Sequence, residues 1–328
     1  MTGQRIALVT GAAGVMGVRL VERLVSEGWT VRGLVLPGDP GRARLESLGV
    51  TVVEGDIRDA PSLRGVCDGV HTVFHLAAII ISHDVGAFRR INRDGTAHVA
   101  EAARAAGVAH LVYVSSASVT YPRLTPYAES KLAAEYIVKS SGVPYTVARP
   151  TLVYDSGGGQ ELLMYLAYLK RFPVVPFIGR GLARKRPVWA EDVVDGLARM
   201  AGNATSHGKT YNLSGGESIT MLDFSRLLLQ ADGSPKPFLH IPVLAFRGAA
   251  FVLDKLMKEP PVTQSAISGI VNHADLDPSG AMRELGYRPL GVRDGLPRHF
   301  STSGGRARRP GGDGARAAST PHLEGAPP

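Results

Sequence analysis

Residues 6–17 read Ile6-Ala7-Leu8-Val9-Thr10-Gly11-Ala12-Ala13-Gly14-Val15-Met16-Gly17, and the order of these residues decides the fold. The aliphatic run Ile6 to Thr10 reads as a buried strand. It ends in a glycine turn. From Val15 to Glu27 apolar residues then recur at Val18, Val21, Leu24 and Val25, the spacing of one helix face, until Gly28 stops the pattern. A strand passing through glycines into a helix gathers backbone N–H groups and the positive end of a helix dipole at one point, which suits a phosphate. Gly11, Gly14 and Gly17 are spaced GxxGxxG rather than GxGxxG. The physical demands are the same, and the strand-to-helix context gives the trio its weight.

The same alternation continues outward. Thr30 to Leu36, Val50 to Val53, Thr72 to Leu76, Leu111 to Ser115 and Tyr145 to Arg149 read as further strands, with helical stretches between them. Six strands with intervening helices predict an α/β fold, a doubly wound parallel sheet of the Rossmann type, over residues 1–150. Beyond Pro150 the texture changes. Pro187-Val188-Trp189 and Glu191 to Met200 read as a strand and helix, so residues 185–215 are expected to return to the sheet. Residues 151–184 and 216–300 then form a smaller, discontinuous C-terminal lobe beside a substrate cleft. Residues 301–328 are Gly, Pro, Ala and Arg with almost no aliphatic bulk, and are expected to be a disordered tail.

Composition narrows the class. The 328 residues carry a net charge of +8, of which the tail supplies +2 through four arginines set against Asp313 and Glu324. The basic residues do not interleave with aromatics in a nucleic-acid pattern, and anionic small ligands explain the charge at least as well as a nucleic acid. A single cysteine, Cys67, forms neither an internal disulfide nor a metal cluster, and no metal site is expected. No apolar run reaches the roughly 18–20 residues that span a bilayer. With the first strand starting at once, the reading is a cytoplasmic protein without a signal peptide.

The second decisive stretch is Tyr127-Ala128-Glu129-Ser130-Lys131. It lies in a helical segment, Tyr127 to Ser140, after the turn Leu124-Thr125-Pro126. A free phenol with a pKa of about 10 is a poor base at neutral pH, and a nearby cation favours the phenolate. Lys131 is one helical turn beyond Tyr127 and can supply that cation. A phenol and an ammonium so spaced suit proton transfer to an alcohol or ketone oxygen beside a nicotinamide. Ser115 and Ser116, closing the strand from Leu111, both offer a hydroxyl for holding that oxygen.

Together these stretches resemble an extended short-chain dehydrogenase/reductase of the NAD-dependent epimerase/dehydratase group, over about residues 5–300. Supporting segments are Gly55-Asp56, His75-Leu76-Ala77-Ala78, Asn92 in Asn-Arg-Asp-Gly-Thr, Val114-Ser115-Ser116-Ala117 and Arg149-Pro150-Thr151. The resemblance implies Ser116, Tyr127 and Lys131 as catalytic residues. It implies Gly11, Gly14, Val15, Met16, Gly17, Asp56, Ile57, Ala77 and Ala78, with Tyr127 and Lys131, as contacts of NAD or NADP. Asp56 and Ile57 would lie near the adenine, and Asn92 would support the site from a helix behind it. A homodimer is implied in the same way. Arg149 reads as a structural ion pair, and His83 as a solvated loop residue.

The end of the second strand carries Val35 and Leu36, neither acidic nor basic, which leaves NAD and NADP both open. The lack of an arginine there tilts the reading toward NAD. Nucleotide-sugar enzymes of the group usually carry Asn where this chain has Leu152, and a longer segment between the serine and the tyrosine. Apolar stretches at Leu162 to Tyr165, Phe172 to Ile178 and Ile241 to Leu256 point instead to a hydrophobic, sterol-like hydroxy or keto substrate, as in the 3β-hydroxysteroid dehydrogenase and complex I accessory-subunit branches. Two alternatives stand beside this oxidoreductase: a nucleotide-sugar epimerase or dehydratase, and a dinucleotide-binding sensor or scaffold without turnover.

Overall fold

A computed structural model describes residues 5–155, 160–245 and 264–304. The opening strand β1 (Ile6–Thr10) enters helix α1 (Val15–Ser26), followed by β2 (Thr30–Val35), the short helix α2 (Arg42–Ser47) and β3 (Thr51–Glu54). Next come β4 (Thr72–His75), the short α3 (Val85–Phe88), α4 (Gly95–Ala105), β5 (His110–Val114), α5 (Pro126–Ser140) and β6 (Tyr145–Pro150). These strands and a later one, β11 (Lys209–Leu213), form a seven-stranded sheet in the order β3-β2-β1-β4-β5-β6-β11, every neighbouring pair parallel. The strand order reverses between β1 and β4. In open α/β sheets, ligands bind at such a reversal beyond the carboxyl ends of the strands.

Alternation along β1 explains the layering. Ala7 and Val9 face one side and join Leu20, Val21 and Leu24 of α1 with Val193, Val194 and Leu197 of α7 (Ala190–Met200). Leu8 faces the other side and joins Val99, Ala100 and Ala103 of α4 with Ala134 and Val138 of α5. Helices therefore cover both faces, and the strands read as continuous apolar runs for that reason.

A third core lies beyond β6. Tyr154 of β7 (Val153–Tyr154), Leu162, Leu166 and Leu169 of α6 (Gln160–Arg171), and Val175, Phe177 and Ile178 of β8 (Val175–Ile178) pack against α8 (Met221–Ala231). Two short strands, β9 (Arg184–Lys185) and β12 (Ile219–Thr220), pair antiparallel there, and β13 (Phe238–Ile241) runs parallel to β8.

The structure differs from the sequence reading at three places. The strand at Val188 and Trp189, β10, pairs with β7 and not with the main sheet; the strand that returns is β11. Ala281 and Leu285, on the helix Ser279–Leu285, join the α1/α7 core rather than the third core. The last described helix spans Val292–Gly304, so residues 301–304 are helical where a disordered tail was expected. The rest of that tail, 305–328, lies outside the described residues, as do Gly157 to Gly159 and residues 246–256 of the apolar stretch.

Candidate active site

At the carboxyl end of β1 the chain turns through Gly11, whose φ is +68°. A Cβ there would lie 3.0 Å from the Cα and N of Ala77. A Cβ on Gly17 would lie 2.1 Å from the carbonyl oxygen of Gly11, so the turn and the first turn of α1 touch backbone to backbone. Only glycine fits both positions. Gly14 caps α1 without a side chain, and its N–H donates to Gly11 O at 3.1 Å. The next N–H groups, including those of Val15 and Met16, have no partner within the helix. No acidic residue occupies the first turn. This cradle fits the pyrophosphate of a dinucleotide, with Gly11, Gly14, Val15, Met16 and Gly17 as its walls.

The other sequence-predicted cofactor residues surround the cradle unevenly. Ala77 and Ala78 follow β4 directly beside Gly11, and the Ala77 N–H already donates to Thr10 Oγ1 at 3.1 Å. Asp56 follows β3, and Arg58 holds its carboxylate through Nε and the backbone N–H, both at 2.8 Å. Those bonds keep the carboxyl below the usual carboxylate range. The Ile57 side chain is buried against Gly95 of α4, and its carbonyl faces His98 Nδ1 at 2.8 Å. Beyond β2, Arg42 pairs with Glu46 and Glu54, and Arg44 with Glu22.

Two strands away, at about 10 Å from strand spacing, stand the candidate catalytic residues. Helix α5 begins cleanly: Thr125 Oγ1 accepts from the Ala128 N–H at 3.2 Å and Pro126 takes the first helical position. Tyr127 sits in this first turn, half-buried, with its ring edge-on to Phe88 at 6.2 Å. One turn later Lys131 is 2% exposed. Its Nζ donates to the carbonyl of Val114 at 2.6 Å and lies 4.4 Å from the centre of the Tyr113 ring. Burial lowers its pKa to about 7, with Glu135 pulling the other way.

The two serines after β5 separate. Ser115 Oγ is buried and donates to Glu135 Oε1 at 2.6 Å. Ser116 starts the next turn, where its Oγ accepts from the Ser118 N–H at 3.2 Å and lies 2.9 Å from Ser118 Oγ. Glu135 also accepts from Arg149 through Nε at 2.8 Å and Nη2 at 2.6 Å. Arg149 is thus a structural pair, and His83 is exposed.

Sequence reasoning missed Glu135 and Tyr113. Glu135 lies four residues after Lys131, and that i, i+4 spacing put it on the same helix face. Tyr113 looked like one more core residue, and nothing in its neighbours set it apart. Asn92 sits in a π-helical turn, Arg89–Asp94, and fixes the chain after β4. Its Oδ1 accepts from Ile79 N at 2.8 Å, and its Nδ2 donates to Ser130 Oγ at 3.0 Å. Among the described residues no group of three or more His, Cys, Asp or Glu could hold a metal ion.

This sheet, reversal and site define the class of extended short-chain dehydrogenases/reductases, and comparison with known proteins agrees. The family model described as "NAD dependent epimerase/dehydratase family" matches residues 7–214. A ceramide reductase from Caulobacter vibrioides is 36% identical over 296 residues, covering 89% of this chain and 92% of that protein. A 3 beta-hydroxysteroid dehydrogenase/Delta 5→4-isomerase from Mycobacterium tuberculosis is 28% identical, covering 86% of each. Among solved structures, a dTDP-glucose 4,6-dehydratase from Streptomyces venezuelae with NAD bound superimposes with a TM-score of 0.70 at 23% identity, covering 90% of this chain and 96% of that one. The chain belongs to the NAD dependent epimerase/dehydratase family, and it is an enzyme of the oxidoreductase type that this family and its relatives define. Among the described residues no helix is long and apolar enough to cross a membrane.

Proposed function

We propose that the protein interconverts a secondary alcohol and a ketone on an apolar substrate, with NAD or NADP as the hydride carrier. The observation that carries this reading is the buried Lys131 ammonium, held at the Val114 carbonyl one helical turn from Tyr127. With the dinucleotide's pyrophosphate at the glycine cradle, its nicotinamide would supply or accept the hydride. Tyr127 donates or removes the proton at the substrate oxygen. Lys131 would favour the phenolate and hold the nicotinamide ribose. Ser116 orients the same oxygen, a role that Ser115 cannot share while it is bound to Glu135. Arginines paired with carboxylates after β2 favour NAD over its phosphorylated form.

The apolar substrate class is supported by two relatives, named for ceramide and for 3β-hydroxysteroids. It agrees with the apolar third core between residues 152 and 296, which we take as the packing of a substrate lobe. Likeness to the nucleotide-sugar enzymes rests on fold alone. A panel of long-chain keto lipids, keto and hydroxy steroids and nucleotide sugars, assayed by NADH and NADPH absorbance, tests the proposal. Turnover of an apolar ketone that disappears in Tyr127→Phe is expected. Turnover confined to nucleotide sugars, or undiminished in Tyr127→Phe, rejects it.

A further inference from the structure

A buried hydrogen-bonded chain runs from the glycine turn to the catalytic helix. Thr10 Oγ1 lies 2.7 Å from His75 Nδ1, and His75 Nε2 lies 2.9 Å from Thr96 Oγ1. Thr96 Oγ1 donates to the Asn92 carbonyl at 2.5 Å, Asn92 Nδ2 donates to Ser130 Oγ at 3.0 Å, and Ser130 Oγ donates to the Tyr127 carbonyl at 2.7 Å. All five linking side chains are buried.

The proton positions follow from the carbonyls, which only accept. Thr96 must give its hydrogen to Asn92 O, so it accepts from His75 Nε2, which therefore carries hydrogen. Thr10 Oγ1 already accepts from the Ala77 N–H. Its own hydrogen then needs Nδ1 as an acceptor, so the imidazole is neutral. Burial and the nearby Lys131 ammonium act the same way, lowering the His75 pKa to about 3. Every polar atom on the path has a partner, the condition under which a buried network specifies one geometry.

We propose that His75 is a positioning residue for the reaction: a neutral imidazole with its proton on Nε2, it fixes the spacing between the dinucleotide cradle and Tyr127 through Thr96, Asn92 and Ser130. The proposal rests on the oxidoreductase reading for its kinetic consequence, though not for its effect on cofactor binding. A shift of the catalytic helix by an ångström is enough to cost about 100-fold in rate.

The test uses the full chain and Thr96→Val, which cuts the path without touching cradle, tyrosine or lysine. Thr96→Ser restores the hydroxyl, and His75→Gln offers an amide acceptor and donor in place of the ring. In wild type labelled with ¹⁵N-histidine, the resonances lost in His75→Gln should report protonated Nε2 and bare Nδ1 from pH 5 to 8. Thr96→Val should weaken NADH or NADPH binding several-fold by fluorescence titration. It should also lower kcat on whichever apolar ketone of the panel is turned over about 10- to 100-fold and move the pH profile of kcat, while Thr96→Ser stays near wild type. A His75 that titrates near pH 6.5 or carries its proton on Nδ1 overturns the proposal. So does a Thr96→Val protein with unchanged cofactor affinity, kcat and pH profile, or a loss that Thr96→Ser shares. If wild type binds NADH but turns over no alcohol or ketone, and Thr96→Val lowers that affinity, the coupling stands and the alcohol–ketone proposal falls.

Discussion

Lys131 sits where folding and its proposed part in turnover make opposite demands. Removing an ammonium from water is costly, and its pKa of about 7 against 10.5 for an ordinary lysine records that cost. Below pH 7 the folded protein must hold this buried charge. Between pH 7 and 10.5 the unfolded chain binds the proton and the folded one does not, so stability from this group rises with pH. Lys131→Met is therefore expected to abolish turnover and, at pH 6, to raise stability by roughly 1–3 kcal/mol in urea unfolding; a large destabilisation would contradict it. The adjacent serines should divide cleanly. Ser115→Ala is expected to cost about 1–2 kcal/mol through Glu135 with kcat within twofold of wild type, whereas Ser116→Ala lowers kcat about tenfold or more at nearly unchanged stability. The reverse pattern in the two assays would exchange their roles. The family resemblance favoured Ser116; the physical reason, that Ser115 is bound to a buried carboxylate 20 residues away, is a tertiary fact.

At the scale of elements, α1 and β1 meet so closely that a single methyl group decides the outcome. Gly17→Ala places a carbon 2.1 Å from the Gly11 carbonyl oxygen, so the turn must open. The expected result is loss of NADH and NADPH binding in a fluorescence titration, by about 100-fold or more, with about 2–4 kcal/mol lower stability. Binding within threefold of wild type would show that the cradle does not hold the cofactor. The glycine turn was legible in the sequence because its chemistry is local. The strand β11 was not. Lys209-Thr210-Tyr211-Asn212-Leu213 lies at the sheet's edge, buries chiefly Tyr211 and Leu213, and shows water its polar residues. Such alternation is faint over five residues, while Val188 and Trp189, both buried, imitate a sheet strand and pair only with β7. The network through His75 was hidden for a related reason: threonine, histidine and asparagine drawn from separate elements have no shared period.

For the whole molecule the buried histidines and lysines act in one direction over a wide pH range, with the buried Cys67 thiol and tyrosines, all raised by burial, opposing them only in alkaline solution. His75 and His110 are both pushed down to about 3 by burial. An unfolded histidine protonates near 6.5, so below that pH the unfolded chain binds protons that the folded one refuses, and stability drops as the solution is acidified. Lys131 and Lys185, lowered by burial to about 7 and about 8, extend the same slope toward alkaline conditions. The urea midpoint is expected to rise steadily from pH 5 to pH 9, and a maximum near pH 6 would refute this account.

The place of β11 in the chain also bears on how the protein is made. On the ribosome, the first six strands emerge before the long excursion that builds the third core, and the seventh arrives only near residue 213. Until then β6 is an open flank, with buried Val147 and Ala148 at its middle and unpaired backbone along one side. The nascent chain thus carries an adhesive margin for about sixty residues of synthesis, a window in which chaperone capture competes with sticking to a neighbour.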